Sequence, residues 1–271
     1  MSAGTIVVTN DDGIDSPGIR RLVESLDPLG EVIAVAPASN QSAVGRAIDA
    51  SATIESHPFG YAIHGSPSTC VVTAATALDL DPVLVVSGVN KGANLGAPML
   101  GRSGTIGAAI EAAYLDIPAI AVSAYVPFER IQGNFHEFQP EPDEFDPATD
   151  AAVVLAETLL TDGPVDGIDY FNINAPLTDD LRDPTIHVTA PAEGYHTEAD
   201  RDGDQVMLVD RQFELLHAGE LDPAEATDRA VLANGGISVS PLRLPTQSPG
   251  EDALMALEQR LFDDVAARLN T

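Results

Sequence analysis

Over roughly its first 125 residues the chain alternates short runs of β-branched and other apolar residues with segments of helical spacing, and few folds accommodate that pattern. Strand-like runs at 5–9, 31–36, 83–87 and 119–123 are interleaved with helix-like runs at 17–26, 69–80 and 105–115. A strand that is apolar on both faces needs cover on both faces, and strands joined through helices pair in parallel. The pattern therefore predicts a doubly wound α/β core with a mostly parallel sheet, extended by a helix over 148–160 and a strand over 170–174.

The remaining segments read differently. Residues 126–147 are rich in Pro, Glu, Asp and Phe without periodicity, which suggests a long loop or lid. After about residue 184 come short alternating stretches, including 206–216 and 237–242, separated by Gly and Asp turns, and these read as hairpins. Leu254, Leu257, Leu261, Val265 and Leu269 then recur at helical spacing, predicting an amphipathic C-terminal helix over 251–269. The expected division is a core over 1–184 and a β-rich arm with its helix over 185–271, used in association.

The first strand-like run ends in Asn10-Asp11-Asp12-Gly13, followed by Ser16-Pro17-Gly18 at a helix start. Ligands of open α/β sheets bind beyond the carboxyl ends of the strands, which is where these two adjacent carboxylates fall. Asp-Gly is also a common turn dipeptide, and such an Asp often does no more than cap a helix. Two further loops repeat the logic. Ser42 follows the second strand, and the loop 87–96 after the next one supplies Asn90, Lys91 and Asn94. If the strands are neighbours, these groups share one crevice. Carboxylate, hydroxyl and amide oxygens are hard donors that suit Mg²⁺ or Mn²⁺ and have no thiolate preference for zinc. Such an ion can lower the pKa of water and polarise a phosphoryl oxygen.

A fourth segment, Gly101-Arg102-Ser103-Gly104-Thr105, runs straight into a helix, where exposed amides and the helix dipole attract an anion. The same residues also suit an ordinary Ser/Thr cap. Walker A spacing is absent and no G-x-G-x-x-G follows the first strand, which disfavours P-loop and dinucleotide folds.

Composition narrows the partners. The formal net charge is -29, and Lys91 is the only lysine. Such a surface repels nucleic-acid polymers and anionic membranes, and it suits solution at high salt, so a halophilic source is expected. With one cysteine, Cys70, no intrachain disulfide can form, and no apolar segment approaches membrane-spanning length. Met1-Ser-Ala-Gly lacks the start of a signal peptide, so the cytoplasm is the expected location. The six histidines are scattered without ligand spacing, and the acidic segment 141–146 reads as a solvated loop.

Taken together, Asn10-Asp-Asp-Gly13, Ser16-Pro-Gly18, Ala36-Pro37, Gln41-Ser42, Gly65-Ser-Pro67, Cys70-Val71, Ser87 through Gly96, Ser103-Gly-Thr105 and Asn172 through Pro176 resemble the stationary-phase survival protein SurE family of 5′/3′-nucleotidases. The resemblance implies a Rossmann-like three-layer α/β/α core with a β-hairpin arm and C-terminal helix. It also implies a homodimer or homotetramer and one divalent ion per subunit. The implied reaction is hydrolysis of nucleoside monophosphates by metal-activated water, with cleavage of short polyphosphate or other phosphomonoesters as an alternative. A non-catalytic nucleotide- or phosphate-binding protein is the remaining rival. By this resemblance the metal ligands are Asp11, Asp12, Ser42 and Asn90, the phosphate loop is Ser103, Gly104 and Thr105, and Asn94 joins Asp11 and Asp12 in catalysis. Two departures from the family pattern stand out, Ser68-Thr69 where an acid is common and Arg102 where an aromatic is common.

Overall fold

The computed structural model describes residues 4–127, 130–131, 138–218, 220, 226–245 and 255. The core runs β1 (Thr5–Thr9), α1 (Pro17–Leu26), β2 (Val32–Pro37), β3 (Ile54–His57), β4 (Gly60–Ile63), α2 (Pro67–Thr76), β5 (Pro82–Lys91), α3 (Gly104–Tyr114), β6 (Ala119–Tyr125), α4 (Asp146–Asp162) and β7 (Tyr170–Pro176). Then follow β8 (Ile186–Val188), β9 (Thr197–Asp202), β10 (Gln205–Asp210), α5 (Gln212–Ala218), α6 (Asp228–Ala233) and β11 (Ile237–Leu242).

Among the described residues, nine strands form one sheet in the order β3-β4-β2-β1-β5-β6-β7-β11-β8. The six from β4 to β7 are mutually parallel. At one edge β3 runs antiparallel to β4; on the other side β11 runs antiparallel to β7 and parallel to the edge strand β8. Successive β1 residues enter opposite cores, as the two-residue period of a strand requires. Ile6 and Val8 pack with Ile19 and Leu22 of α1 and Ala152 of α4, whereas Val7 packs with Cys70 of α2 and Ile106 and Ala109 of α3. Complete burial of a side chain such as Leu22 stabilises the fold by about 1.5–3 kcal/mol. The result is three layers, helices on each face of the sheet. From β1 the chain first builds outward through β2 and β4, then crosses back to β5 on the other side, so the β1/β5 junction is the switch point at which a crevice opens.

Some boundaries differ from the sequence pattern. The second helix begins at Pro67 because Ser66 caps it, its hydroxyl accepting the Thr69 amide. The stretch 206–216 is extended only to Asp210, whose Oδ1 accepts the Gln212 amide at 3.0 Å and starts α5. β9 and β10 form the expected hairpin outside the main sheet, but 237–242 is not part of a hairpin: it is β11 of the main sheet, inserted between β7 and β8. In the long segment before α4, residues 142–145 form a short 3-10 turn. The helix expected over 251–269 lies outside the described residues. No described helix is long and apolar enough to cross a membrane.

Candidate active site

The turn after β1 is braced by a residue that sequence reasoning left without a role. Asn10 accepts the Gly13 amide at 3.1 Å and donates to Gly13 O at 2.9 Å and Ser16 Oγ at 2.8 Å. Gly13 sits at φ +100°, a conformation open to a residue without Cβ. Asp11 and Asp12 are thereby fixed at the carboxyl end of β1. Asp11 is 3% exposed. Its Oδ1 accepts Thr105 Oγ1 at 2.7 Å and its Oδ2 accepts the Thr105 amide at 3.2 Å. Burial first, and the neighbouring charge of Asp12 second, push its carboxyl pKa up to about 6. Gly104 makes this approach possible, since a Cβ there would stand 2.9 Å from both Cβ and Oδ2 of Asp11. The half-buried Asp12 accepts the Lys91 amide at 2.9 Å and Asn40 Nδ2 at 3.3 Å. The two carboxylates therefore tie together the ends of β1 and β5, the loop after β2, and α3.

The other loops converge on the same place. Ser42 is held by its amide, which donates to Asn40 Oδ1 at 2.9 Å, and the preceding Gln41 amide donates to Asp11 O at 2.7 Å. Pairing of β5 with β6 shifts register between Ser87 and Asn90. Asn90 Nδ2 is committed to Gly92 O, which leaves its side-chain oxygen as the group with lone pairs to offer. Lys91 Nζ donates to Phe138 O at 2.7 Å, and burial lowers its pKa.

Asn94 belongs to a buried amide network. Its backbone amide donates to Asn174 Oδ1 at 2.7 Å, and its carbonyl accepts Asn172 Nδ2 at 3.0 Å and Asn174 Nδ2 at 3.1 Å. Its own Nδ2 donates to Ser123 Oγ at 2.9 Å. The only sequence signal for this network was Asn at i and i+2 in an otherwise apolar strand, β7.

Asp11, Ser42, Asn90, Asn94 and Ser103 line a cavity of about 760 Å³. Gly104 and Thr105 are off that wall, behind Asp11, and Asp12 is beside it. Ser103 caps α3, its hydroxyl accepting the Ile106 amide at 3.2 Å, whereas both donors of Thr105 are engaged by Asp11. The opposite wall is mixed: Tyr125, Val126 and Ile131 are apolar, and the β9–β10 hairpin and the residues before it add Tyr195, Thr197 and Leu208 together with the carboxylates of Glu198 and Asp210. Arg102 bridges the two walls. It donates to Tyr195 OH at 2.7 Å and Thr197 Oγ1 at 3.0 Å, with its guanidinium carbon 5.1 Å from the Tyr195 ring centroid.

The second departure from the family pattern lies elsewhere. Thr69 Oγ1 donates to Asp49 at 2.9 Å, and Asp49 also accepts the Ser66 amide at 2.7 Å, so a carboxylate reaches this corner from another loop. Among the described residues no histidine lines the cavity. His57, His64 and His187 instead meet Asp15, Glu55 and Asp183. In the acidic segment, Glu144 pairs with Arg130 and Asp146 with Arg21.

Comparison with known proteins decides the family. The description "Survival protein SurE" matches residues 6–198. The chain belongs to the SurE family. It is 44% identical to the 5′-nucleotidase SurE of Haloarcula marismortui over 97% of each chain. It is 47% identical to the 5′-nucleotidase SurE of Halobacterium salinarum, over 92% of this chain and 95% of that one. The crystal structure of the SurE protein from Aquifex aeolicus superposes with a TM-score of 0.72 at 29% identity, covering 95% of this chain and 99% of that one. The three-layer core and the hairpin arm are thus a SurE architecture.

Proposed function

We propose that this protein is a divalent-metal-dependent 5′-nucleotidase that hydrolyses nucleoside monophosphates to nucleoside and phosphate. The carrying observation is the convergence of Asp11, Asp12, Ser42 and Asn90 from three strand ends at the β1/β5 switch point, beside one cavity of about 760 Å³. The names of the SurE relatives support the same activity.

The donor set fits a hard cation. All four side chains offer oxygen, and Asp11 is a buried carboxylate whose described side-chain partner is the neutral Thr105. Burial first and the charge of Asp12 second raise its pKa, and a divalent ion bound there would favour the ionised form. Asp11, Asp12, Ser42 and Asn90 would hold one Mg²⁺ or Mn²⁺ per chain. When bound, such an ion supplies Lewis-acid polarisation of a phosphoryl oxygen and lowers the pKa of a water nucleophile.

The protein's own groups do the rest. Thr105 fixes the orientation of the Asp11 carboxylate, and Gly104 lets the helix start close against it. The α3 N-terminus, capped by Ser103, faces an anionic phosphoryl group with positive dipole. Asn94, clamped by Asn172 and Asn174, presents a fixed wall beside Asn90. Tyr125, Val126 and Ile131 would pack against the nucleoside.

In this reading residues 1–184 carry the proposed metal and phosphate groups, with the stretch from 126 up to the 3-10 turn at 142 as lid, and residues 185–271 complete the cavity wall and serve a homodimer or homotetramer. Val206, Met207 and Leu208, exposed by 60%, 65% and 72% along β10, support association. The composition, 42 acidic against 13 basic residues and a single cysteine, fits a cytoplasmic enzyme of a halophile that binds no nucleic-acid polymer or membrane. The test is phosphate release from nucleoside monophosphates at molar KCl with Mn²⁺, Mg²⁺ or EDTA. Release that depends on metal and stops with EDTA is expected; nucleotide binding with no release under any metal would overturn the proposal.

A further inference from the structure

Asp228 and Arg229, at the start of α6, are buried, 0% and 4% exposed, and neither lines the cavity. Asp228 Oδ2 accepts the Gly96 amide at 2.7 Å. Its Oδ1 accepts the Ala192 amide at 2.9 Å and the Arg229 amide at 2.8 Å. Arg229 Nη2 donates to Gly194 O at 2.9 Å. Gly96 ends the loop that carries Asn90 and Asn94, and Gly194 directly precedes Tyr195 on the opposite wall. The segments are stacked tightly there: Ala97 N donates to Ala192 O at 2.9 Å, and a Cβ on Gly96 would fall 2.4 Å from Arg229 Nη2. Leu232 of α6 packs with Ala93 and Leu95 of the same loop.

We infer that Asp228 and Arg229 are positioning residues that form a joint between the two walls of the cavity, Asp228 holding the Asn90–Asn94 loop in register and Arg229 holding the base of the hairpin. The inference rests on that cavity being the nucleotidase site. The division of labour follows from the bonding. A carboxylate serves Gly96 with one oxygen and Ala192 with the other, so it spaces the two segments by its own width. The guanidinium then fixes the backbone one residue before Tyr195, and Tyr195 in turn holds Arg102.

Asp228→Asn separates these contacts. With its oxygen toward Ala192 and Arg229, the asparagine turns an NH₂ group toward the Gly96 amide, donor against donor, and only that loop is released. Loss of one such bond corresponds to about a tenfold change in local opening. Hydrogen exchange over residues 92–97 should accelerate about tenfold while 190–194 stays protected, and kcat for a nucleoside monophosphate should fall about tenfold with KM within about twofold. Arg229→Met should give the complementary result. Exchange over 190–195 accelerates, and KM for the nucleoside monophosphate rises about fivefold more than KM for p-nitrophenyl phosphate, which lacks ribose and base. Arg229→Lys, retaining a donor for Gly194 O, should recover most of that loss. Gly96→Ala enters the same joint from the other side if Asp228→Asn does not fold.

Variants whose kcat and KM move together in proportion to lowered melting temperature, with exchange raised across both segments alike, would overturn the joint. Wild-type protein silent toward both phosphate esters under Mn²⁺ would overturn the nucleotidase reading instead, and the segment-specific exchange would still decide the joint.

Discussion

Replacing Asp11 by asparagine should abolish activity and at the same time stabilise the metal-free protein at neutral pH. The carboxyl is 3% exposed, and its pKa lies at about 6 where the ordinary value is 3.8. At about 1.4 kcal/mol per tenfold change in proton affinity, ionised Asp11 costs the metal-free fold about 3 kcal/mol above pH 6. The sign follows from proton binding. The folded state holds the proton more tightly than the unfolded chain, so this group's stabilising contribution is full below pH 3.8. It is lost as pH rises through about 6. Asparagine carries no charge and keeps both contacts with Thr105, accepting from the amide and donating to a hydroxyl that can turn to accept. Thermal melts in EDTA at molar KCl should therefore show the Asp11→Asn protein melting roughly 5–10 °C higher at neutral pH, with the gap closing toward pH 4. Added Mn²⁺ should raise the wild-type melting temperature and leave the variant unchanged, because only the wild type gains binding energy in the folded state. A variant less stable than wild type in EDTA at neutral pH, or a gap independent of pH, would refute the assignment of Asp11 as a buried carboxylate awaiting a cation.

Three other outcomes follow from the same geometry. Gly104→Ala places a Cβ 2.9 Å from Asp11, so Mn²⁺ affinity measured by calorimetry should fall at least about tenfold with the fold retained. Arg102→Met removes the bonds to Tyr195 and Thr197, and KM for a nucleoside monophosphate should rise about fivefold or more with a smaller effect on kcat. With a net charge of -29, the melting temperature should climb steeply as KCl is raised toward molar concentration; a temperature indifferent to salt would contradict a halophilic origin.

The parts of the fold that could be read from sequence were those set by local rules. β1 and α1 have the expected bounds because an apolar run ends in a glycine turn and Pro17 opens the helix. The hairpin β3–β4 escaped notice because residues 54–56 of β3 are exposed and carry no buried pattern, its strand being fixed by pairing with β4 at the sheet edge. α5 was hidden behind Asp210, whose capping bond ends the alternation that 206–210 begins. In the site, the carboxylates and glycine loops were visible as residues displaced from their elements' patterns. The supporting shell was not, because Asn172, Asn174 and Asp228 acquire their partners only through tertiary contacts, all three more than seventy residues away in sequence from the loop they hold. Arg102 shows the same limit, since its hydrogen bonds to Tyr195 and Thr197 span more than ninety residues.

The most direct test of a phosphatase built on these strand ends is the turnover of Asp12→Asn protein with a nucleoside monophosphate under saturating Mn²⁺. Asp12 holds the Lys91 amide and stands beside Asp11 in the proposed ligand set, so phosphate release should fall at least about a hundredfold in a protein that remains folded. Wild-type turnover by that variant would contradict the assignment of the paired carboxylates as the metal site.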